Sequence, residues 1–480
     1  MDSSHVLAKY IVNTTYDDLP PEVVEVTKRS ILDGIGVMLA ATTLGEDGVQ
    51  EIVELAREAG GKQESSIIGF GYKVPACMAA LANGSMTHQL DYEDTYDPRV
   101  LHPSGAILPA ALAVAERLGT TTGRQFISAF ALACDVMCRM SLPATRGVFE
   151  YNFFQPPVFG KYGAVSAAGK LLGLNENQMV NAFGLILHQA SVSDESAYSP
   201  GSSIRAIRDG LTGHAGVLSA LMAQKGIRGD QNSLEGKYGL YNICYFGDSN
   251  PALVTADLGR RFENTRVSFK PWPCCRGCQV FVDLTLRLVK EYDLSPADVT
   301  QVTVVGGKAA TSLGQAIEER RAPKTSIDAK VSLPFILGAA IARRNVTLAD
   351  FTAESRSDPT VLELAQKVGY RSDGRFDSPG IEGGAVEIKT TDGRLYSKET
   401  ATPYGGTCSV TPGGEMVCEL PASAAEPALT ITRDALVAKF RDCASHSVSH
   451  FSAKKVDTLI QMLDHLEDVS DMNEVIRLLV

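Results

Sequence analysis

Between residues 75 and 225 the chain carries one texture almost without interruption. Segments at 75–87, 104–118, 122–141, 161–173, 176–191 and 205–225 show helical spacing and are rich in Ala, Gly, Leu and Val. Small apolar residues on several faces of a helix mean burial on more than one side, so these helices pack on one another and predict an all-α unit. Polar breaks fall at 88–103, 143–157 and 192–204. Connections held by rigid helices are where binding and catalytic groups gather, which makes these breaks the candidate site loops.

The first break is the most concentrated. His88, Asp91, Glu93, Asp94, Asp97 and His102 place two histidines and four carboxylates within fifteen residues. His102-Pro103-Ser104 opens the next helix, and Pro103 suits its first turn while keeping the preceding histidine out of helical geometry. An imidazole at a helix N-terminus has its pKa lowered, favouring the neutral form that can accept a proton. A capping role is the plainer alternative for such a histidine. His88 with Asp91, or Asp91 with His102, offers part of a metal-ligand set, but no third clustered histidine or HExxH spacing completes it. The expectation is a site without metal.

The remaining chain supplies the frame. A short helix at 6–12 precedes one from Pro21 to about residue 41, another spans 49–59, and 65–70 is a brief extended run. Near residue 250 the texture changes: extended segments at 266–269, 299–305 and 385–390 alternate with helices at 277–291 and 328–343, and Asp392-Gly393 marks a hairpin turn. That alternation predicts a smaller α/β unit at 266–433. Helical periodicity returns at 434–442, 453–466 and 471–479, and 400–426 reads as a surface loop. The expected architecture is mainly α, with an all-α domain from 1–265 and 434–480 and an inserted α/β lid from 266–433.

A net charge of −11 and a pI near 5.3 argue against nucleic acid or an anionic membrane as partner. The longest apolar runs fall short of a membrane span, and no secretory signal precedes the ten scattered cysteines, so reduced thiols and a cytoplasmic setting are expected. Lys270-Pro-Trp-Pro-Cys274-Cys275-Arg276-Gly-Cys278 brackets two prolines and three thiols with cations. Three close thiols without a matching second pair support zinc weakly. A proline-braced turn aiming Lys270 at a carboxylate is the functional reading, and a hinge with buried thiols the plain one. Arg146, Tyr151, Arg205 and Arg208 lie in or beside the breaks, where guanidinium clamps for a polycarboxylate belong. Phosphate-binding glycine loops and a Gly-x-Ser-x-Gly elbow are missing from the sequence.

Several segments together resemble the MmgE/PrpD family, which includes 2-methylcitrate dehydratase, cis-aconitate decarboxylase and iminodisuccinate epimerase. They are His88-Gln-Leu-Asp91-Tyr-Glu-Asp-Thr95 followed by His102-Pro-Ser, Phe159-Gly-Lys-Tyr-Gly163, Lys270 to Arg276, and Pro323-Lys-Thr-Ser-Ile-Asp-Ala-Lys330-Val-Ser-Leu-Pro334. Leu19-Pro-Pro and Phe440-Arg-Asp-Cys-Ala fit at the two ends. The resemblance implies a homodimer, no metal or organic cofactor, and an interdomain cleft for a di- or tricarboxylate substrate lined by Asp91, Thr95, His102 and Lys270. Three positions depart from the family pattern. Phe154, with Gln155 beside it, stands where a histidine is usual, Arg205 replaces a lysine, and Gln279 replaces a second histidine.

On this basis His102 is the expected proton abstractor, oriented by Asp91, with Lys270 stabilising developing charge and Tyr151 as a second donor. Thr95, Arg146, Phe154, Gln155, Arg205, Arg276 and Gln279 are the expected substrate contacts. The leading expectation is a dehydratase of the 2-methylcitrate type. Epimerisation, decarboxylation and a catalytically inactive dimeric binding protein are the alternatives.

Overall fold

The computed structural model describes residues 2–147, 150, 151, 153–190, 193, 195, 199, 202–308, 317–377, 383–400, 407–410, 416–419 and 430–480. Much of the 192–204 break and of the 400–426 stretch therefore lies outside the described residues.

The fold is mainly α. Its longer helices in the first half are α1 (Ser3–Asn13), α2 (Pro21–Leu44), α3 (Val49–Glu58), α4 (Ala76–Thr87), α5 (Pro103–Leu118), α6 (Gly123–Ser141), α7 (Gln155–Leu171), α8 (Glu176–Leu187) and α9 (Ile204–Gln224). Helix α7 begins six residues before its expected start. Pro156 and Pro157 sit in its first turn, where a missing N–H costs nothing because that donor would have no intrahelical partner.

Helix α9 is the hub, packed on α4, α7, α8 and α5. Its crossing with α4 is close because both helices lack a side chain at the contact. A Cβ on Gly84 would lie 2.6 Å from the Asp209 carbonyl oxygen and 2.7 Å from the Gly210 Cα. That approach sets the distance between the C-terminal end of α4 and the N-terminal end of α9, which carry the site.

Strands β1 (Thr95–Tyr96) and β2 (Val267–Ser268) pair antiparallel, Thr95 opposite Ser268. Beyond them lie helix α10 (Gln279–Glu291), strand β3 (Val299–Gly306), helix α11 (Leu333–Arg343), and strands β4 (Val368–Ser372), β5 (Gly384–Thr390) and β6 (Leu395–Thr400). These last four strands form one sheet in the order β4-β3-β5-β6, with only the β3–β4 pair parallel. The expected helix at 328–343 is broken into Ser326–Lys330 and α11, because Ser332 caps the second piece and Pro334 fills its first turn. The expected loop at 400–426 contains two short antiparallel strands, Thr407–Val410 and Met416–Glu419.

Helix α12 (Arg433–Ser445) packs on α2, so the C-terminal part of the chain returns to the N-terminal helices. Among the described residues no helix is long and apolar enough to cross a membrane.

Candidate active site

The residues that follow α4 turn back on themselves before β1. Asp91 adopts a left-handed conformation (φ 47°), and Val100, just before His102, does the same (φ 54°). For a β-branched residue this is costly, and strain of this kind concentrates at functional loops.

The β1–β2 ladder places Lys270 against the Asp91 turn. Lys270 Nζ donates to Asp91 Oδ1 at 2.5 Å and to the Asp91 carbonyl oxygen at 2.9 Å, with both residues buried. Arg205 Nη2 reaches Asp91 Oδ2 at 3.4 Å. Burial alone would raise the Asp91 pKa, but Lys270, His88, Arg205 and His102 outweigh it and hold the carboxyl well below its usual range. Burial would likewise lower the Lys270 pKa, yet Asp91 and Glu93 raise it, so the ammonium stays charged.

His102 caps α5 without a side-chain bond to the helix. Its Nδ1 lies 3.1 Å from the Asp94 carbonyl oxygen, 3.2 Å from Glu93 Oε1 and 3.4 Å from Thr95 Oγ1. A carbonyl oxygen only accepts, so Nδ1 carries the proton and Nε2 keeps its lone pair. Burial first and then Lys270 hold the His102 pKa well below 6.5, while Glu93 opposes the shift. The imidazole is thus neutral and base-competent near pH 7. Asp94 completes the turn by accepting from the Ser104 amide at 2.9 Å; burial, then Asp33, push its carboxyl up to about 7.

Glu93 bridges the two histidines, contacting His88 Nδ1 through the same Oε1 that faces His102, and the rings stand 4.9 Å apart. Its pKa is lowered because His88, Lys270 and His102 outweigh its burial. From α9, Arg208 Nη2 approaches His88 Nδ1 at 3.4 Å. Its Nε and Nη1 are buried without a hydrogen-bond partner among the described residues, as is Arg205 Nε. Phe154 lies beneath both guanidiniums, its ring centre 4.6 Å from Arg208 and 5.8 Å from Arg205. Gln155 follows at the start of α7, buried, with both amide atoms unpartnered. The guanidinium nitrogens and Gln155 Nε2 are donors without an acceptor, Gln155 Oε1 is an acceptor without a donor, and buried polar groups of this kind are costly unless something fills them.

Among the described residues, His88, Asp91, Glu93 and His102 offer ligand atoms within 4.8 Å of one another and could hold a metal ion. The unpartnered guanidinium donors favour an anion. Lys270 and Arg205 both face Asp91, and Arg208 Nε lies 3.8 Å from Asp209 Oδ1, too far for a hydrogen bond.

Four expected contacts lie elsewhere. Arg146 is half-exposed and paired with Asp248 at 2.8 Å. The Tyr151 hydroxyl accepts from the Thr145 and Arg146 amides, both at 2.9 Å, so it braces the 145–151 turn rather than facing the cluster. Arg276 forms a two-pronged pair with Asp97 at 2.7 and 2.8 Å. The Gln279 amide nitrogen donates to the Trp272 and Cys274 carbonyl oxygens at 2.8 and 2.9 Å and stiffens the turn after Lys270. Thr95, Phe154, Gln155 and Arg205 lie in or beside the cluster.

Sequence reasoning missed Lys439. From α12 it pairs with Asp33 at 2.6 Å and donates to the carbonyl oxygens of Tyr92 (2.6 Å) and Lys270 (3.1 Å), tying together the two segments that bear Asp91 and Lys270. Its partners are remote in sequence, so only the retained stretch at Phe440 hinted at a role for this helix.

Comparison with known proteins gives a consistent result. Residues 5–252 match the model of the MmgE/PrpD N-terminal domain and residues 272–465 that of the C-terminal domain. A cis-aconitate decarboxylase-like protein of Aspergillus oryzae is 24% identical, covering 97% of this chain and 95% of its own length. A cis-aconitate decarboxylase of Aspergillus terreus is 25% identical over 97% of this chain and 94% of its own, and one from Homo sapiens is 25% identical over 96% and 91%.

Proposed function

Because the chain belongs to the MmgE/PrpD family, we propose that it is a lyase acting on a tricarboxylate, and that its reaction is decarboxylation of a cis-aconitate-type acid. The observation that carries this reading is the gathering of Lys270 and Arg205 on Asp91 and of Arg208 on His88, beside the neutral His102 imidazole, with buried guanidinium donors left for a bound anion. The names of the relatives favour decarboxylation over the dehydration expected from family membership alone.

In this mechanism Arg205 and Arg208 hold substrate carboxylates through guanidinium hydrogen bonds. Loss of carbon dioxide from the carboxylate on the saturated carbon leaves an electron pair that spreads over the neighbouring double bond and a second carboxylate. The cations stabilise that charge in a site shielded from water. A proton then returns to the far carbon, giving a methylene-succinate. His102 supplies it: the incoming carboxylates offset the Lys270 charge that adds to burial in holding this imidazole neutral, so its Nε2 takes up a solvent proton and passes it on. Asp91 positions Lys270, Glu93 and the Asp94 carbonyl orient His102, and the enzyme works as a homodimer.

A second reading rests on His102 Nε2, which is unprotonated before substrate binds. With a hydroxy-tricarboxylate such as 2-methylcitrate it would abstract a proton beside a carboxylate and drive loss of water. Proton NMR in deuterium oxide separates the two. With cis-aconitate, decarboxylation yields new vinyl signals and one incorporated deuterium. With 2-methylcitrate, collapse of the methyl doublet to an allylic methyl singlet without carbon dioxide release means dehydration. Unchanged spectra for both acids would refute the proposal, and light scattering reports the oligomeric state.

A further inference from the structure

The reaction above leaves one cluster unused. Cys275 precedes and Cys278 closes a single 3-10 turn (Arg276–Cys278) that leads directly into α10, and the Cys278 amide donates to the Cys275 carbonyl oxygen at 2.9 Å. One such turn rises about 6 Å, within the Cα separation that a disulfide spans. Cys275 is partly exposed, whereas Cys278 and Cys274 are buried. On the pocket side Cys275 feels Arg205 and Lys270. Its amide donates to the Lys330 carbonyl oxygen at 2.9 Å, which fixes the turn on the lid side.

We propose that Cys275 and Cys278 form a peroxide-sensitive dithiol at the rim of the pocket, which closes reversibly into an intramolecular disulfide. The Cys275 thiolate attacks hydrogen peroxide, forming an S–O bond as the O–O bond breaks, and hydroxide leaves. The Cys278 sulfur then displaces the oxygen as water, using its own proton, and the S–S bond closes. The two sulfurs lose two electrons in total and the peroxide gains them.

The microenvironments separate the roles of the three thiols. Interaction with the Cys278 side chain brings the Cys275 thiol down to about 6, with Arg205 and Lys270 helping against burial and Asp91. The same interaction pushes Cys278 well above the usual range, and Cys274 is raised as well, chiefly by burial. Cys274 Sγ instead meets the Gln279 amide nitrogen at 3.2 Å. Cys275 is therefore the attacking thiolate and Cys278 the resolving thiol. Closure removes a negative charge from beside Arg205 and Lys270 and ties the turn after Lys270 to the start of α10, so the positive field of the pocket becomes redox-dependent.

The test uses the full-length protein and mass-spectrometric peptide mapping, and needs no substrate. Brief treatment with hydrogen peroxide at pH 7 should yield the 275–278 bridge before any other cysteine is modified, and dithiothreitol should reverse it. C278S should stop at a dimedone-reactive sulfenic acid on Cys275, while C274S should still form the bridge. The proposal is overturned if the wild-type chain is oxidised first at another cysteine, if residues 275 and 278 stay unbridged, or if C274S abolishes the bridge. Because no step depends on turnover, failure here leaves the lyase reading standing, and the converse also holds.

Discussion

Replacing Lys270 by methionine removes a buried charge from a buried partner. Lys270 and Asp91 are in contact at 2.5 Å and both essentially inaccessible to solvent, so the variant leaves a carboxylate with only Arg205, at 3.4 Å, to balance it. Breaking a buried pair on one side costs about 3–5 kcal/mol. For a chain of 480 residues the unfolding entropy at roughly 2.1 cal/mol/K per residue comes to about 1 kcal/mol/K, so the expected fall in Tm is about 3–5 °C. Removing both charges, as Lys270→Met with Asp91→Leu, should recover much of that loss, because the desolvation cost of two ions disappears with their attraction. Neither variant should turn over substrate, since the ammonium facing the developing charge is gone. Scanning calorimetry on the two single variants and the double variant gives the coupling energy directly. A Lys270→Met variant that melts within 1 °C of wild type would show that Lys270 does not compensate Asp91, and one that keeps wild-type activity would show that it does not serve the reaction.

His102→Asn should lower kcat by about 10²–10⁴-fold, the usual range for loss of a proton-transfer group, with the circular dichroism spectrum unchanged. Arg208→Gln, which shortens the clamp and discharges it, should raise KM for a tricarboxylate by at least about tenfold, the loss of one charge-assisted contact. Arg146→Ala should leave kcat/KM within about twofold of wild type, because this half-exposed side chain pairs only with Asp248 among the described residues. Asp94, raised from 3.8 to about 7, favours the folded state fully below its unfolded pKa and loses that contribution as pH rises through about 7, a cost on the order of 4 kcal/mol. Asp94→Asn keeps an acceptor for the Ser104 amide and should flatten the decline in Tm between about pH 4 and 7; an unaltered slope would count against the assignment.

What the sequence disclosed, and what it withheld, follows from the range of each interaction. Helices α4, α5, α6 and α9 were legible because their spacing and small residues are local properties, and Pro103 and His102 announce the start of α5 within three positions. Prolines misled where a breaker and a starter look alike: Pro156 and Pro157 open α7 instead of delaying it. Within the site, polarity at a break located the right loops but could not give direction. Tyr151 and Arg146 share one turn, but the hydroxyl is taken by two backbone amides and the guanidinium by Asp248. Gln279 is likewise committed to the backbone of its own turn, so where the resemblance led us to expect a histidine this side chain is a brace. Phe154 is the opposite case. A ring that cannot trade protons lies under two guanidiniums, and Arg205 in place of lysine supplies one of them. The two departures read separately as losses, but together they put a planar cation pair on an aromatic floor, an arrangement suited to gripping carboxylates and leaving proton traffic to His102.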